Sequence, residues 1–269
     1  MRGWPHSLVL YLYFLWKEKR SLSSMKMALF GLKWRARSEG WKDPARSTIV
    51  RQVMRAAAID LYHRTNRKFA LTQDQVRALV RAARKREERG EQEYGYLACA
   101  MLLQYYGIAR ISEILEAKRK DVRFYSGYVT LDYKGKNAAM REGDTKHIAE
   151  VGGEYCAVTE LRRRLEVQKN RILKSSSKKW NEPLLNVKGK KVTYSWYRKR
   201  LIVLFRECGI SPKLFCTHSF RSGAASAALA RGESKDSVKR QGGWLSEAVN
   251  LYFIPSLRVL LGTTRRLRL

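Results

Sequence analysis

The first strong feature along the chain is an unbroken apolar run, LVLYLYFLW, from Leu8 to Trp16, closed by Lys17, Glu18, Lys19 and Arg20. It is about half as long as the ~20 residues a helical membrane span needs. No small-residue cleavage site follows it, so a buried helix is expected. Met25, Leu29 and Leu32 then recur at helical spacing, with Ser23 or Ser24 as the cap and Gly40 as the stop. Pro44 breaks the chain. Ile49, Val53 and Ala57 fall on one face of a helix predicted near Thr48 to Tyr62. The polar, basic segment His63 to Ala70 predicts a linker. It divides the chain into a helical domain at 1–66 and a larger domain at 67–269.

The larger domain opens with Thr72 as the cap of a helix that turns Val76, Leu79, Val80 and Ala83 inward and a run of Arg and Lys outward. Tyr96 to Tyr106 is apolar almost throughout, which predicts a central helix. A turn at Gly107 precedes another helix near Ile111. At Gly127 the period changes: YVTLDY, Tyr128 to Tyr133, predicts a strand, and Lys146 to Val151 its partner across a polar hairpin. Helices resume at Thr159 to Leu173, Tyr194 to Cys208, Ser219 to Arg231, Ser234 to Arg240 and Glu247 to Phe253. Lys174 to Lys179 predicts a flexible Ser-Lys loop. The expected fold is mainly α with a small antiparallel β-sheet.

Composition adds one anomaly. Among 269 residues, Lys+Arg 55 stand against Asp+Glu 24, a formal net charge of +31, while 45% hydrophobic residues are ordinary for a chain with a core. That apolar content argues against wholesale disorder, and Gly 18 with Pro 5 argues against a collagen-like or low-complexity chain. So large an excess of positive charge points to a polyanionic partner, most often nucleic acid. The four cysteines, Cys99, Cys156, Cys208 and Cys216, contain no CxxC pair and suit neither a zinc site nor a disulfide framework. Cys99 and Cys208 lie in apolar helical patterns as core thiols, which fits a reducing compartment.

The densest chemical signal is THSFRSGAASAALARGESKDSVKRQGGWLSEAVNLYF, Thr217 to Phe253. Thr217 is placed as a helix cap. His218 and Arg221, three apart, share a helical face. Gly242, Gly243 and Trp244 follow, and Tyr252 stands eight residues beyond the tryptophan. Upstream, RISE at Arg110 to Glu113 follows the apolar helix and its turn. In these pieces, and in Lys134 at the end of YVTLDYK, the sequence resembles the tyrosine recombinases, also called phage integrases, over about Thr72 to Phe253. The ordered set is specific although each piece alone is weak.

The resemblance implies a helical DNA-binding domain at 1–66, a catalytic domain at 67–269, and a two-domain clamp around duplex DNA. It implies that Tyr252 attacks a DNA phosphodiester to form a 3′-phosphotyrosyl link. Arg110 and Arg221 would clamp the non-bridging oxygens with paired donors. Lys134 would protonate the leaving 5′-oxygen, with Lys136 and Lys146 as rivals. His218 would share proton transfer and Trp244 would donate its indole N–H. Glu113 would orient Arg110, the x-x-Glu context favouring Arg110 over Arg119. No metal ion and no cofactor is implied, because the covalent link preserves the phosphodiester energy. The implied partners are double-stranded DNA and further copies of the chain, a tetramer on DNA. The implied setting is intracellular and DNA-associated, with no membrane. Cations expected to grip phosphates are Arg64, Arg67 and Lys68 in the linker, Arg77, Arg81 and Arg84 on one helix, and Arg198, Lys199 and Arg200 on another.

Three departures from the family pattern stand out. Residues 1–66 have room for only about three helices at an average helix length, where the family usually carries about four. GIA replaces the commoner Gly-Leu before Arg110. Seventeen residues follow Tyr252, among them Ile254, Leu257 and Leu260, which could reach a partner. A DNA-binding protein without catalysis is the competing reading, and a type IB topoisomerase a third. The GGW box and the small size favour the recombinase.

Overall fold

The computed structural model describes residues 4–61, 68–133, 144–172, 181–252 and 265. The chain forms two compact units, 1–66 and 67–269. Most of the predicted linker, the hairpin tip with Lys134 and Lys136, the Ser-Lys segment Lys174 to Lys179, and Ile254, Leu257 and Leu260 lie outside the described residues.

In the first unit, α1 (Trp4–Lys17), α2 (Leu22–Ser38) and α3 (Thr48–Asp60) pack around Leu8, Leu12, Met25, Val50 and Ala57. The apolar run of α1 is not buried all round. Leu8 and Leu12 face inward, while Leu10, Tyr13 and Phe14 are exposed, because α2 and α3 cover only one face of it. The cap of α2 is Ser21, not Ser23 or Ser24: its side chain accepts the Ser24 N–H at 3.1 Å. On α3 Ala57 is buried and Val53 packs on the core as expected, but Val50 is the buried residue of the first turn and Ile49 is exposed. No helix among the described residues is long and apolar enough to cross a membrane.

The second unit is built round α5 (Glu93–Tyr106), whose residues Tyr94 to Gln104 are buried on every side. Around it lie α4 (Gln73–Glu88), α6 (Ile111–Glu116), α7 (Ala157–Ile172), α8 (Tyr194–Glu207) and α9 (Ser219–Ala230). Thr72 caps α4 in a reciprocal capping box with Gln75, and Val76, Leu79, Val80 and Ala83 are buried as their spacing requires. Arg164 of α7 is 1% exposed and is held by Glu87 of α4 and Glu160 of its own helix, the latter at 2.8 Å. This ion cluster ties α4 to α7 beside the glycine Gly95 of α5, where a side chain would collide with the guanidinium.

A three-stranded antiparallel sheet interrupts the helices. It consists of β1 (Val122–Tyr125), β2 (Tyr128–Tyr133) and β3 (Asp144–Ala149), with Leu131 opposite Lys146. The first strand escapes a pattern reading because it is short and mostly exposed. A second hairpin, β4 (Asn186–Val187) and β5 (Lys190–Lys191), turns through Lys188 and Gly189 at positive φ, the geometry of a two-residue hairpin loop. Among the described residues the unit thus carries a second, two-stranded sheet beside the expected one. After α9, the chain forms α10 (Lys235–Gly242) and then a 3-10 turn at Glu247–Tyr252, tighter than the α-helix expected there.

Candidate functional site

The site begins where α5 ends. The chain turns through Gly107 and Ile108, and Ile108 takes a left-handed conformation at φ 45. That is strained for a β-branched residue, a cost on the order of 1–3 kcal/mol. The turn aims the Ile108 carbonyl inward, where it accepts Nη1 of Arg221 at 2.8 Å. Two residues on, Arg110 precedes α6. Its backbone N–H donates to Glu113 Oε2 at 2.9 Å and its Nη1 to Oε1 at 2.7 Å. Glu113 is buried while the Arg110 side chain stays partly open to solvent, so a fixed carboxylate orients an arginine that a ligand can still reach. A cleft of about 680 Å³ lined by Arg110, Glu113, Lys118, Lys120 and Tyr133 opens beside it.

Arg221 comes from the first turn of α9. That helix lies close against the chain before α4: a side chain at Gly223 would run into the Leu71 backbone. Thr217 does not cap it. His218 occupies the cap position without a side-chain cap bond, and the Thr217 carbonyl accepts Gln104 Nε2 at 2.7 Å instead. Arg221 is 0% exposed. Besides Nη1, its Nε and Nη2 have no hydrogen-bond partner among the described residues. A buried guanidinium with two unanswered donors is costly unless an acceptor arrives. Burial, reinforced by the charge of Arg110, lowers its pKa to about 10, still protonated at neutral pH.

The end of α10 sets the next side chain. Gly243 closes that helix in the left-handed conformation, and at Gly242 any Cβ would overlap the Trp244 ring. The indole thus folds back, its ring centroid 3.8 Å from the Arg221 guanidinium carbon. The 3-10 turn then brings Tyr252 against Trp244, with ring centroids 5.3 Å apart. Its carbonyl accepts the Ser226 hydroxyl at 3.2 Å. The phenol Oη lies 2.8 Å from Nε2 of His218. Trp244 and Tyr252 both pack on a small separate core of Ile108, Ala224, Ala225, Val238 and Val249. Desolvation and then the charges of Arg221 and Arg110 lower the His218 pKa, so its ring is neutral near pH 7 and can accept a proton from the phenol.

The structure therefore brings Arg110, Glu113, His218, Arg221, Trp244 and Tyr252 together from four separate stretches of chain. Lys134 lies outside the described residues. Its rival Lys146 is 1% exposed, with Nζ donating to the Gln241 carbonyl at 2.6 Å. Among the other predicted cations, Arg64 and Arg67 lie outside the described residues. Lys68 Nζ donates to the Lys213 carbonyl. Arg77, Arg81, Arg198 and Lys199 are exposed, with Arg77 paired to Asp74. Arg84 is turned onto Glu154 and Glu160, and Arg200 onto Glu93 at 3.2 Å and the Trp196 ring. Arg119, the rejected alternative to Arg110, hydrogen-bonds Gln168. Sequence reasoning missed the Ile108 carbonyl, Ser226, Gln241 and Gln104. Only Gln104, a lone amide in an apolar helix, left a visible trace.

Against known proteins, the model of the family described as Phage integrase family matches residues 70–253. No match was found among curated proteins. Similar solved structures include XerH site-specific recombinase bound to difH substrate, in a pre-cleavage complex, at TM-score 0.58 and 16% identity. That likeness covers 81% of this chain and 65% of that one, so the chain spans about two thirds of that recombinase. A Tn1549 transposon integrase in complex with transposon right end DNA is similar at TM-score 0.63 and 16% identity, covering 98% and 85%. A lambda integrase dimer bound to a COC′ core site is similar at 0.59 and 18%, covering 94% and 81%.

Proposed function

The chain belongs to the phage integrase family, and on that premise we propose that it is a site-specific DNA recombinase of integrase or mobile-element type, cleaving and rejoining DNA through a covalent 3′-phosphotyrosine. The observation that carries this reading is the 2.8 Å contact between Tyr252 Oη and His218 Nε2, beside a buried Arg221 with two unpartnered donors.

In this mechanism a DNA phosphate enters between Arg110 and Arg221, and the free donors of Arg221 turn to its non-bridging oxygens. His218 takes the phenol proton as Tyr252 Oη bonds to phosphorus. The bond from phosphorus to the 5′-oxygen breaks, and that oxygen receives a proton, a role assigned to Lys134. Trp244 closes the far side of Arg221 and keeps its guanidinium in place. Rejoining is the same path in reverse, with an incoming 5′-hydroxyl as nucleophile. The phenol and the clamp belong to one chain, which supports cleavage in cis.

Residues 1–66 would supply a second grip on the duplex, with four copies assembling on paired sites inside the cell. The solved structures named above are one recombinase and two integrases bound to DNA, which supports DNA as the partner.

The test starts from a pool of nicked duplexes with random centres. Wild-type protein should trap a subset as an SDS-resistant, protease-sensitive complex. Tyr252→Phe should bind the same subset without trapping it. Binding without any trapped complex from the wild type would leave a DNA-binding protein without catalysis.

A further inference from the structure

The buried lysine of β3 has no part in the mechanism above, yet it sits where three pieces of the site meet. Lys146 Nζ donates to the Gln241 carbonyl at 2.6 Å, lies 3.8 Å from Glu113 Oε2, and stands 4.6 Å from the Tyr133 ring centroid. The Gln241 side chain answers in the opposite sense, its Nε2 donating to the His147 carbonyl at 2.8 Å. Adjacent residues of β3 are thus stapled to the last turn of α10, immediately before Gly242, Gly243 and Trp244. The same ammonium faces the carboxylate that fixes both the backbone and the guanidinium of Arg110.

From this we infer that Lys146 is a positioning residue: resting on the recombinase reading, it locks the base of the β2–β3 hairpin to the Arg110–Glu113 pair and to the turn carrying Trp244. Its burial and its bond to Gln241 keep its ammonium off the leaving oxygen, so it does not act as the general acid. The consequence is geometric. Strand β3, which pairs with β2 as far as Tyr133, is tied to the Arg110–Glu113 pair and to α10 by one buried cation and one amide. A shift of about 1 Å at reacting atoms can cost on the order of a hundredfold in rate.

The test uses a duplex that the wild-type chain has itself selected for covalent trapping, made in two forms. One carries the ordinary phosphodiester; the other has sulfur in place of the bridging 5′-oxygen. A thiolate leaves without being protonated, so the sulfur form bypasses a general acid but not a misplaced clamp. Lys146→Met is expected to slow single-turnover trapping of both forms by the same factor, roughly 10- to 100-fold, with DNA affinity within about twofold of wild type. Lys134→Met should be slow only on the oxygen form. Circular dichroism melts check that Lys146→Met is folded. If it is not, Gln241→Leu, which deletes only the amide of the staple, should show the same insensitivity to sulfur with a smaller loss. Sulfur rescue of Lys146→Met would make Lys146 the acid and overturn the inference, as would wild-type rates in both variants. If the wild-type chain traps no duplex from any pool, the recombinase reading itself fails and this assignment falls with it.

Discussion

Arg221 has almost no contact with solvent, and its planar fork has one prong on a backbone carbonyl and two donors unanswered among the described residues. A lysine at this position would keep the charge but could not hold the Ile108 carbonyl and two phosphate oxygens at once. Arg221→Lys should therefore trap DNA at least about a hundredfold more slowly, the usual cost of losing one oriented donor to a developing oxyanion, while binding duplex as wild type does in an anisotropy titration. His218 yields a second prediction. Its pKa is lowered, by desolvation first and by Arg221 and Arg110 next. Only the neutral ring can take the tyrosine proton, so the trapping rate should fall as pH drops through a value below 6.5. His218→Gln should be slow and lack that acid limb across the same pH series. The pair His218 and Arg221 was legible in the sequence because both lie in one four-residue stretch with fixed helical spacing. The Ile108 carbonyl was not, since a backbone acceptor leaves no mark on residue type. Arg84 read as a phosphate cation because the carboxylates that hold it, Glu154 and Glu160, come from a distant part of the chain.

Among elements, the α-helices were readable, the short α6 and α10 included, while the shortest strands and the 3-10 turn were not. Four inward residues and a capping Thr specify α4 without help from the rest of the protein. The four-residue β1 and the two-residue β4 and β5 are too short for a period to declare itself, and they exist because neighbouring strands supply their hydrogen bonds. The turn after α10 is a different case. The GGW box was visible, but what the glycines do became clear only in three dimensions: Gly243 reverses the chain and Gly242 leaves room for the indole. Gly242→Ala should push Trp244 off Arg221, because the new methyl occupies the space of the ring. The expected result is a loss of about 1–3 kcal/mol in an equilibrium melt, the range for overpacking, together with a trapping rate reduced more than the melt explains. Trapping at the wild-type rate would mean that the indole need not sit over the guanidinium during cleavage.

Across the whole molecule, charge is distributed in a way that no single element reveals. Residues 1–66 carry 13 Lys and Arg against 4 Asp and Glu, and residues 67–269 carry 42 against 20. Many of the acids are used internally: Glu87 and Glu160 on Arg164, Glu113 on Arg110, Glu93 on Arg200, and Glu207 on Arg86. Such pairing neutralises cations one for one and leaves the excess of +31 untouched. Exposed cations in both units, such as Arg51 and Arg55 of α3, Arg81 of α4 and Arg198 and Lys199 of α8, belong to that excess. Because each phosphate neutralised releases counterion, the logarithm of the duplex affinity should fall linearly with the logarithm of salt, with a slope of about −0.9 per contact. A chain gripping DNA through about six to ten phosphates would lose some 10³–10⁵ in affinity between 50 and 200 mM salt. Replacing Arg198 and Lys199 with Ala should flatten the slope by about one for each residue that touches a phosphate, equally on selected and unselected duplexes. Arg84→Ala should leave the slope unchanged, since its guanidinium is spent on Glu154 and Glu160. Anisotropy titrations at four salt concentrations separate the two outcomes, and a flattened slope for Arg84→Ala would show that its ion pairs open to meet DNA.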